Sequence, residues 1–139
     1  MEVLLVEDDP ADVRLTQEAF REGRMLVNLT VARDGVEAME MLSRSSTTAV
    51  PPKPDLILLD LNLPRKNGRE VLLEIKASDE WKRIPVIIMS TSKAPQDIQK
   101  AYSLNANCYI AKPVDLEQFL SVVRSIEDFW LTIVTLPSD

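Results

Sequence analysis

The sequence predicts an open α/β domain built on a parallel sheet, and three observations carry that reading. Short apolar runs alternate with longer amphipathic stretches along the chain, the pattern of repeated strand-helix units. Four of those runs end in polar residues: Val6 leads into Glu7-Asp8-Asp9, Leu59 into Asp60, Met89 into Ser90-Thr91, and Ala111 into Lys112-Pro113. The chain has 139 residues, 45% of them apolar and 27% charged, which suits one globular domain with a substantial core. If the strands are parallel, their carboxyl ends share one rim, the place where open α/β sheets bind ligands.

Strands are expected near residues 2–7, 26–32, 55–60, 85–90 and 107–111. The first helix opens with Asp9 as N-cap and Pro10 at its first position, where a missing N–H costs nothing, and runs to about Glu22 before Gly23 stops it. The second extends from about Gly35 to Ser43, with Val36, Met39 and Leu42 at helical spacing. Residues 43–54 contain three prolines and five hydroxyl residues and are expected to form a surface loop. A third helix over about 67–77 turns Val71, Leu72 and Ile75 inward and Lys66, Arg69 and Glu70 outward. The fourth, about 95–104, offers only Ile98, Ala101, Tyr102 and Leu104 and should hold the sheet loosely. The fifth begins with a capping box, Asp115 to Gln118, and carries Phe119, Val122, Val123 and Ile126 on one face. Beyond it, residues 129–137 are apolar material that a five-unit domain does not need.

A net charge of −6 without a Lys/Arg cluster argues against a nucleic-acid surface. No apolar stretch approaches the ~20 residues of a membrane span. No charged leader precedes an apolar core and cleavage site, so the expected location is cytoplasmic. The single cysteine, Cys108, reads as a small core or strand-edge residue, with nothing near it in sequence to activate a thiol. Histidine is absent, which removes Ser-His-Asp and Cys-His catalysis, His metal ligation and internal phosphohistidine. Any phosphohistidine chemistry must involve a partner.

The residues at the rim suggest a specific chemistry. Glu7, Asp8 and Asp60 form a hard-cation set, because adjacent carboxylates repel and Mg²⁺ (or Mn²⁺) held by carboxylates and water relieves that repulsion. Asp60 is a candidate aspartyl nucleophile, Lys112 a neutralising ammonium and Ser90 a hydrogen-bond donor. Each residue alone reads as an ordinary cap or turn; their joint occurrence at four strand ends makes the case.

Over nearly its full length the chain resembles the receiver domain of two-component response regulators. The matching stretches are residues 3–9, residues 54–64 with Gly68 after them, residues 84–91, and Tyr109-Ile-Ala-Lys-Pro113. The resemblance implies a flavodoxin-like doubly wound sheet of five strands in order 2-1-3-4-5 with five helices and, here, a C-terminal extension. It implies Asp60 as phospho-acceptor, Mg²⁺ bound directly by Asp8 and Asp60, Glu7 acting through water, and Asn62 lending its backbone carbonyl. Ser90 and Tyr109 fall at the family's switch hydroxyl and switch aromatic, Lys112 at its lysine, and the peptide to Pro113 is expected cis. Asn62 and Ser92 occupy the positions that tune hydrolysis of the acyl phosphate.

Two positions depart from the commonest pattern: Glu7 stands where Asp is more usual, and Ser90 where Thr is. The long 43–54 segment and the tail narrow the resemblance to stand-alone response regulators that partner phytochromes. The expected partner is therefore a sensor histidine kinase, with a phytochrome as the narrower expectation. Residues 1–139 are read as one receiver domain, with 129–139 an extension used for homodimerisation through Phe129, Trp130, Leu131, Ile133, Val134 and Leu136. Such a protein acts on no substrate besides its phosphoryl donor and its own phosphate. The rival reading is a small Mg²⁺-dependent phosphatase or phosphotransferase with an aspartyl nucleophile, which would want an acid where the sequence has Asn62. A flavin module, the third reading, would want a Gly-rich phosphate loop where Glu7-Asp8-Asp9 stand.

Overall fold

Five apolar runs become five parallel strands because each alternates with a helix that carries the chain back to the same edge. The computed structural model describes residues 1–91, 94–112 and 115–132, with side chains through Asp128 in the last segment. In chain order the elements are β1 (Glu2–Val6), α1 (Pro10–Arg21), β2 (Asn28–Ala32), α2 (Gly35–Thr47), β3 (Leu56–Asp60), α3 (Gly68–Ala77), β4 (Val86–Ser90), α4 (Pro95–Ser103), β5 (Cys108–Ala111) and α5 (Leu116–Thr132). The sheet order is β2-β1-β3-β4-β5, as expected.

Register aligns the side chains in rows. Val31, Leu5, Leu58, Ile87 and Cys108 stand abreast, and so do Ala32, Val6, Leu59, Ile88 and Tyr109 one residue later. Successive residues face opposite sides. The first row therefore joins a core with Val13, Phe20, Phe119, Val123 and Ile126 of α1 and α5. The second joins a core with Ala38, Leu42, Val71, Leu72, Ile75 and Ala101 of α2, α3 and α4. Every residue of β3 and β4 is buried. That leaves only their carboxyl ends to carry polar groups toward solvent.

The expected end of α2 shifts, for a physical reason. Helix α2 continues to Thr47, so Ser43 to Thr47 are helical and not part of a loop. Their hydroxyls bond back to the preceding turn, Ser45 Oγ to the Leu42 carbonyl at 2.6 Å and Thr47 Oγ1 to that of Ser43 at 3.2 Å, and so sit within the helix without leaving a polar group unpaired. Helix α1 ends at Arg21 with Glu22 as its C-cap, just before Gly23 as expected, but Gly23 has no left-handed backbone. Gly23 instead makes room: a Cβ there would lie 2.8 Å from Glu127 Oε2. Glu127, buried on α5, accepts the Met25 N–H at 2.6 Å and so holds the α1–β2 turn to α5.

Candidate functional site

The carboxyl ends of β1, β3, β4 and β5 bring Glu7, Asp60, Ser90 and Lys112 together, all four buried. Glu7 directly follows β1 and extends its ladder by donating its N–H to the Ala32 carbonyl at 2.9 Å. Asp9 closes the turn as N-cap of α1, accepting the Ala11 N–H at 2.9 Å. Asp8, between them, is exposed. Asp60 ends β3, and the chain must turn at once into the loop before α3. Gly68 permits that turn, since a Cβ there would meet the Asp60 carbonyl oxygen at 2.3 Å. Asn67 caps α3 by accepting the Glu70 N–H at 3.0 Å.

Both oxygens of Asp60 are held. Oδ1 accepts the backbone N–H of Asn62 at 3.0 Å, and Oδ2 accepts from Lys112 Nζ at 3.2 Å. Lys112 also donates to Glu7 Oε1 and to Asp12 Oδ2, the latter at 2.9 Å. Its backbone N–H bonds the Ser90 carbonyl at 2.6 Å, which ties the end of β5 to the end of β4. Across the mouth, Asn62 Nδ2 donates to Thr91 Oγ1 at 3.1 Å and links the loops that follow β3 and β4.

The electrostatics follow from crowding. Glu7, Asp12 and Asp60 surround one ammonium, so the most buried carboxylate is the one that favours a proton. Burial, reinforced by a hydrogen bond with Asp60 and opposed by Lys112, pushes the Glu7 carboxyl up to about 8. Burial alone would lower the Lys112 value, but its bonds to Glu7 and Asp12 and the charge of Asp60 outweigh that and hold it above the ordinary lysine value. Glu7, Asp8 and Asp60 each offer a carboxylate oxygen, all within 4.8 Å of one another. This set of hard oxygen donors suits a divalent cation.

The structure brings together the expected Glu7, Asp8, Asp60, Asn62, Ser90 and Lys112. Tyr109, on β5, is half-buried against the core shared with α3 and α4. It pairs with Ile88, two residues before Ser90, so Tyr109 and Ser90 share a sheet face. Ser92, Pro113, Ile133, Val134 and Leu136, and the side chains of Phe129, Trp130 and Leu131, lie outside the described residues. Sequence reasoning missed Asp12, and it placed Thr91 at a strand end without giving it a role. For Asp12 a signal was available: it stands four residues before buried Thr16 on the stripe that α1 turns inward.

A five-stranded doubly wound sheet with clustered acids and one lysine at its carboxyl rim defines a class, and comparison with known proteins agrees. The family model of the response regulator receiver domain matches residues 3–124, and the chain belongs to this family of two-component signalling proteins. It is 46% identical over 136 residues to the response regulator Rcp1 of Synechocystis sp., spanning 98% of this chain and 92% of that protein. The crystal structure of the Mn²⁺-bound form of Rcp1 superposes with a TM-score of 0.84, covering 99% of both chains. That of the phosphorylated cyanobacterial phytochrome response regulator RcpA is 50% identical, with a TM-score of 0.85, and covers 99% of this chain and 98% of the other. Among the described residues, no helix is long and apolar enough to cross a membrane.

Proposed function

We propose that this receiver takes a phosphoryl group onto Asp60 from the phosphohistidine of a sensor kinase. One observation carries the reading: Asp60 is buried at a strand end with one oxygen fixed by the Asn62 N–H and the other by the Lys112 ammonium. In the transfer, a bond forms between an Asp60 carboxylate oxygen and phosphorus while the bond between phosphorus and the donor's histidine nitrogen breaks, with the imidazole leaving. Asp60 is the nucleophile, and its two hydrogen bonds set its orientation before the donor arrives. Lys112 then neutralises charge on the phosphoryl oxygens. Glu7, Asp8 and Asp60, with the Asn62 carbonyl, would hold Mg²⁺ or Mn²⁺. When bound, the cation supplies positive charge opposite the phosphoryl group.

Intact-mass analysis after incubation with acetyl phosphate and Mg²⁺ tests this. Wild type should gain one phosphoryl group and Asp60→Asn none; equal labelling of the two would remove Asp60 from the role. The phosphatase reading is not favoured, because the side chain of Asn62 is a neutral amide bonded to Thr91, where that chemistry wants an acid. The protein then acts on its donor and on its own phosphate alone.

Phosphorylation is read as drawing Ser90 toward the phosphoryl oxygens, with Tyr109 following on the same sheet face and altering the surface of α4, β5 and α5. Ser90→Ala should still be phosphorylated, but its partner binding or self-association should no longer respond. Asn62 and Ser92 would tune the lifetime of the phosphate. Similarity to a phytochrome response regulator supports a phytochrome-type kinase as the donor. The apolar residues Phe129, Trp130, Leu131, Ile133, Val134 and Leu136 support homodimerisation through segment 129–139. Sedimentation should show Trp130→Ala shifted toward monomer.

A further inference from the structure

An ammonium has three N–H donors, and Lys112 has all three committed: to Glu7, to Asp12 at 2.9 Å and to Asp60 at 3.2 Å. A phosphoryl oxygen arriving at Asp60 therefore finds the lysine saturated and must displace one carboxylate. Glu7 and Asp60 already have roles in cation and phosphoryl chemistry. Asp12 has none, and it differs from them in place: it rides the first turn of α1 at the mouth of the site, with a third of its side chain exposed. It meets Lys112 across 100 residues of sequence. Water can take its place at the lysine, and its own charge can turn to solvent, at far less desolvation cost than for fully buried Glu7.

We propose that Asp12 is a positioning residue for Lys112, holding the ammonium in the unphosphorylated state and competing with the phosphoryl group for it. This rests on Asp60 being the phospho-acceptor. The resting contact keeps the ammonium aimed into the site, and its release is part of the free-energy cost of occupying the site. Asp12 thus sets how readily the site accepts a phosphoryl group without touching that group.

Calorimetric titration with beryllium fluoride, a phosphoryl mimic, at saturating Mg²⁺ tests the assignment. Saturating cation removes any loss of Mg²⁺ affinity caused by deleting a nearby negative charge. Asp12→Asn should bind the mimic about 5- to 10-fold more tightly than wild type, the size expected when a competing charge a few ångströms from the lysine is removed. Asp12→Glu, which keeps the charge, should stay within roughly twofold of wild type. In a Lys112→Ala background, Asp12→Asn should change nothing, because its effect runs through the lysine. Asp12→Ser gives the same readout if the Asn variant does not fold. An unchanged affinity in Asp12→Asn, with wild type binding normally, overturns the role of Asp12 alone. An equal gain in the Lys112→Ala background also overturns it, since the effect would then be general charge. Failure of wild type to bind the mimic overturns the Asp60 reading, and the role of Asp12 with it.

Discussion

Helices α3 and α4 cover neighbouring parts of one sheet face, yet they are held very differently. Helix α3 buries Gly68, Val71, Leu72 and Ile75 and is capped by Asn67. Helix α4 buries only Ala101, has no side-chain capping hydrogen bond, and leaves Tyr102 half in solvent. The cause lies in the sequences: α3 repeats apolar residues at helical spacing, whereas α4 reads Pro-Gln-Asp-Ile-Gln-Lys-Ala-Tyr-Ser. Helix α3 follows Asp60, and α4 follows Ser90. The side of the site that would receive the phosphoryl group is therefore anchored, and the side that would report it is loosely attached. Elements that move in switching are drawn from the low-stability end of a fold.

The largest test deletes core from each helix. Leu72→Ala should cost about 3 kcal/mol, because it opens a cavity under a fully buried side chain, and Ile98→Ala in α4 about 1 kcal/mol or less. Urea unfolding of both variants measures the contrast; equal costs would abolish it.

The anchored side also has a pH signature. The Glu7 carboxyl is pushed up to about 8 in the fold, from an ordinary value of 4.5. The folded state thus binds that proton more tightly than the unfolded chain does. The resulting stability is fully present below the unfolded value and is lost as pH rises through about 8. Without divalent cation, wild type should lose stability between pH 5 and 9 through this group, and Glu7→Gln should flatten that slope. Mg²⁺, which competes with the proton for the carboxylate, should restore stability at the high-pH end.

A smaller change should firm up the loose side. Ala94 precedes α4 with extended backbone suited to an N-cap. Ala94→Asp should stabilise α4 by about 1 kcal/mol, visible as slower hydrogen exchange in α4 amides with those of α3 unchanged. The smallest effect concerns the link between the helices, where Arg69 of α3 bonds Asp97 of α4 at 2.8 Å across a partly exposed surface. Arg69→Ala should free α4 by about 0.5 kcal/mol, read as faster exchange in that helix alone.

Much of the site was legible because a buried parallel strand allows few polar positions. Asp60, Ser90 and Lys112 could be assigned from the ends of apolar runs, and Asp9 and Asp115 from capping chemistry, which the structure bears out in the Ala11 and Gln118 N–H bonds. The end of α2 was misplaced because serines and threonines favour turns in general, while here their hydroxyls close back onto the helix. Gly23 follows the end of α1 as expected, but local rules give a glycine only backbone freedom and could not show its further use here, which is to admit Glu127, 104 positions further on.

The sequence by itself determined the strands, the sheet class and which polar groups reach the carboxyl rim, because strand burial and helical periodicity are local and repeat along the chain. Only the tertiary structure decided that Lys112 meets Asp12, Glu7 and Asp60 at once and that Asn62 bonds Thr91. It alone showed that α4 lies on its sheet with a single buried residue. Those facts depend on register between strands and on the seating of each helix, where elements far apart in sequence meet and no local pattern records which side chains will touch.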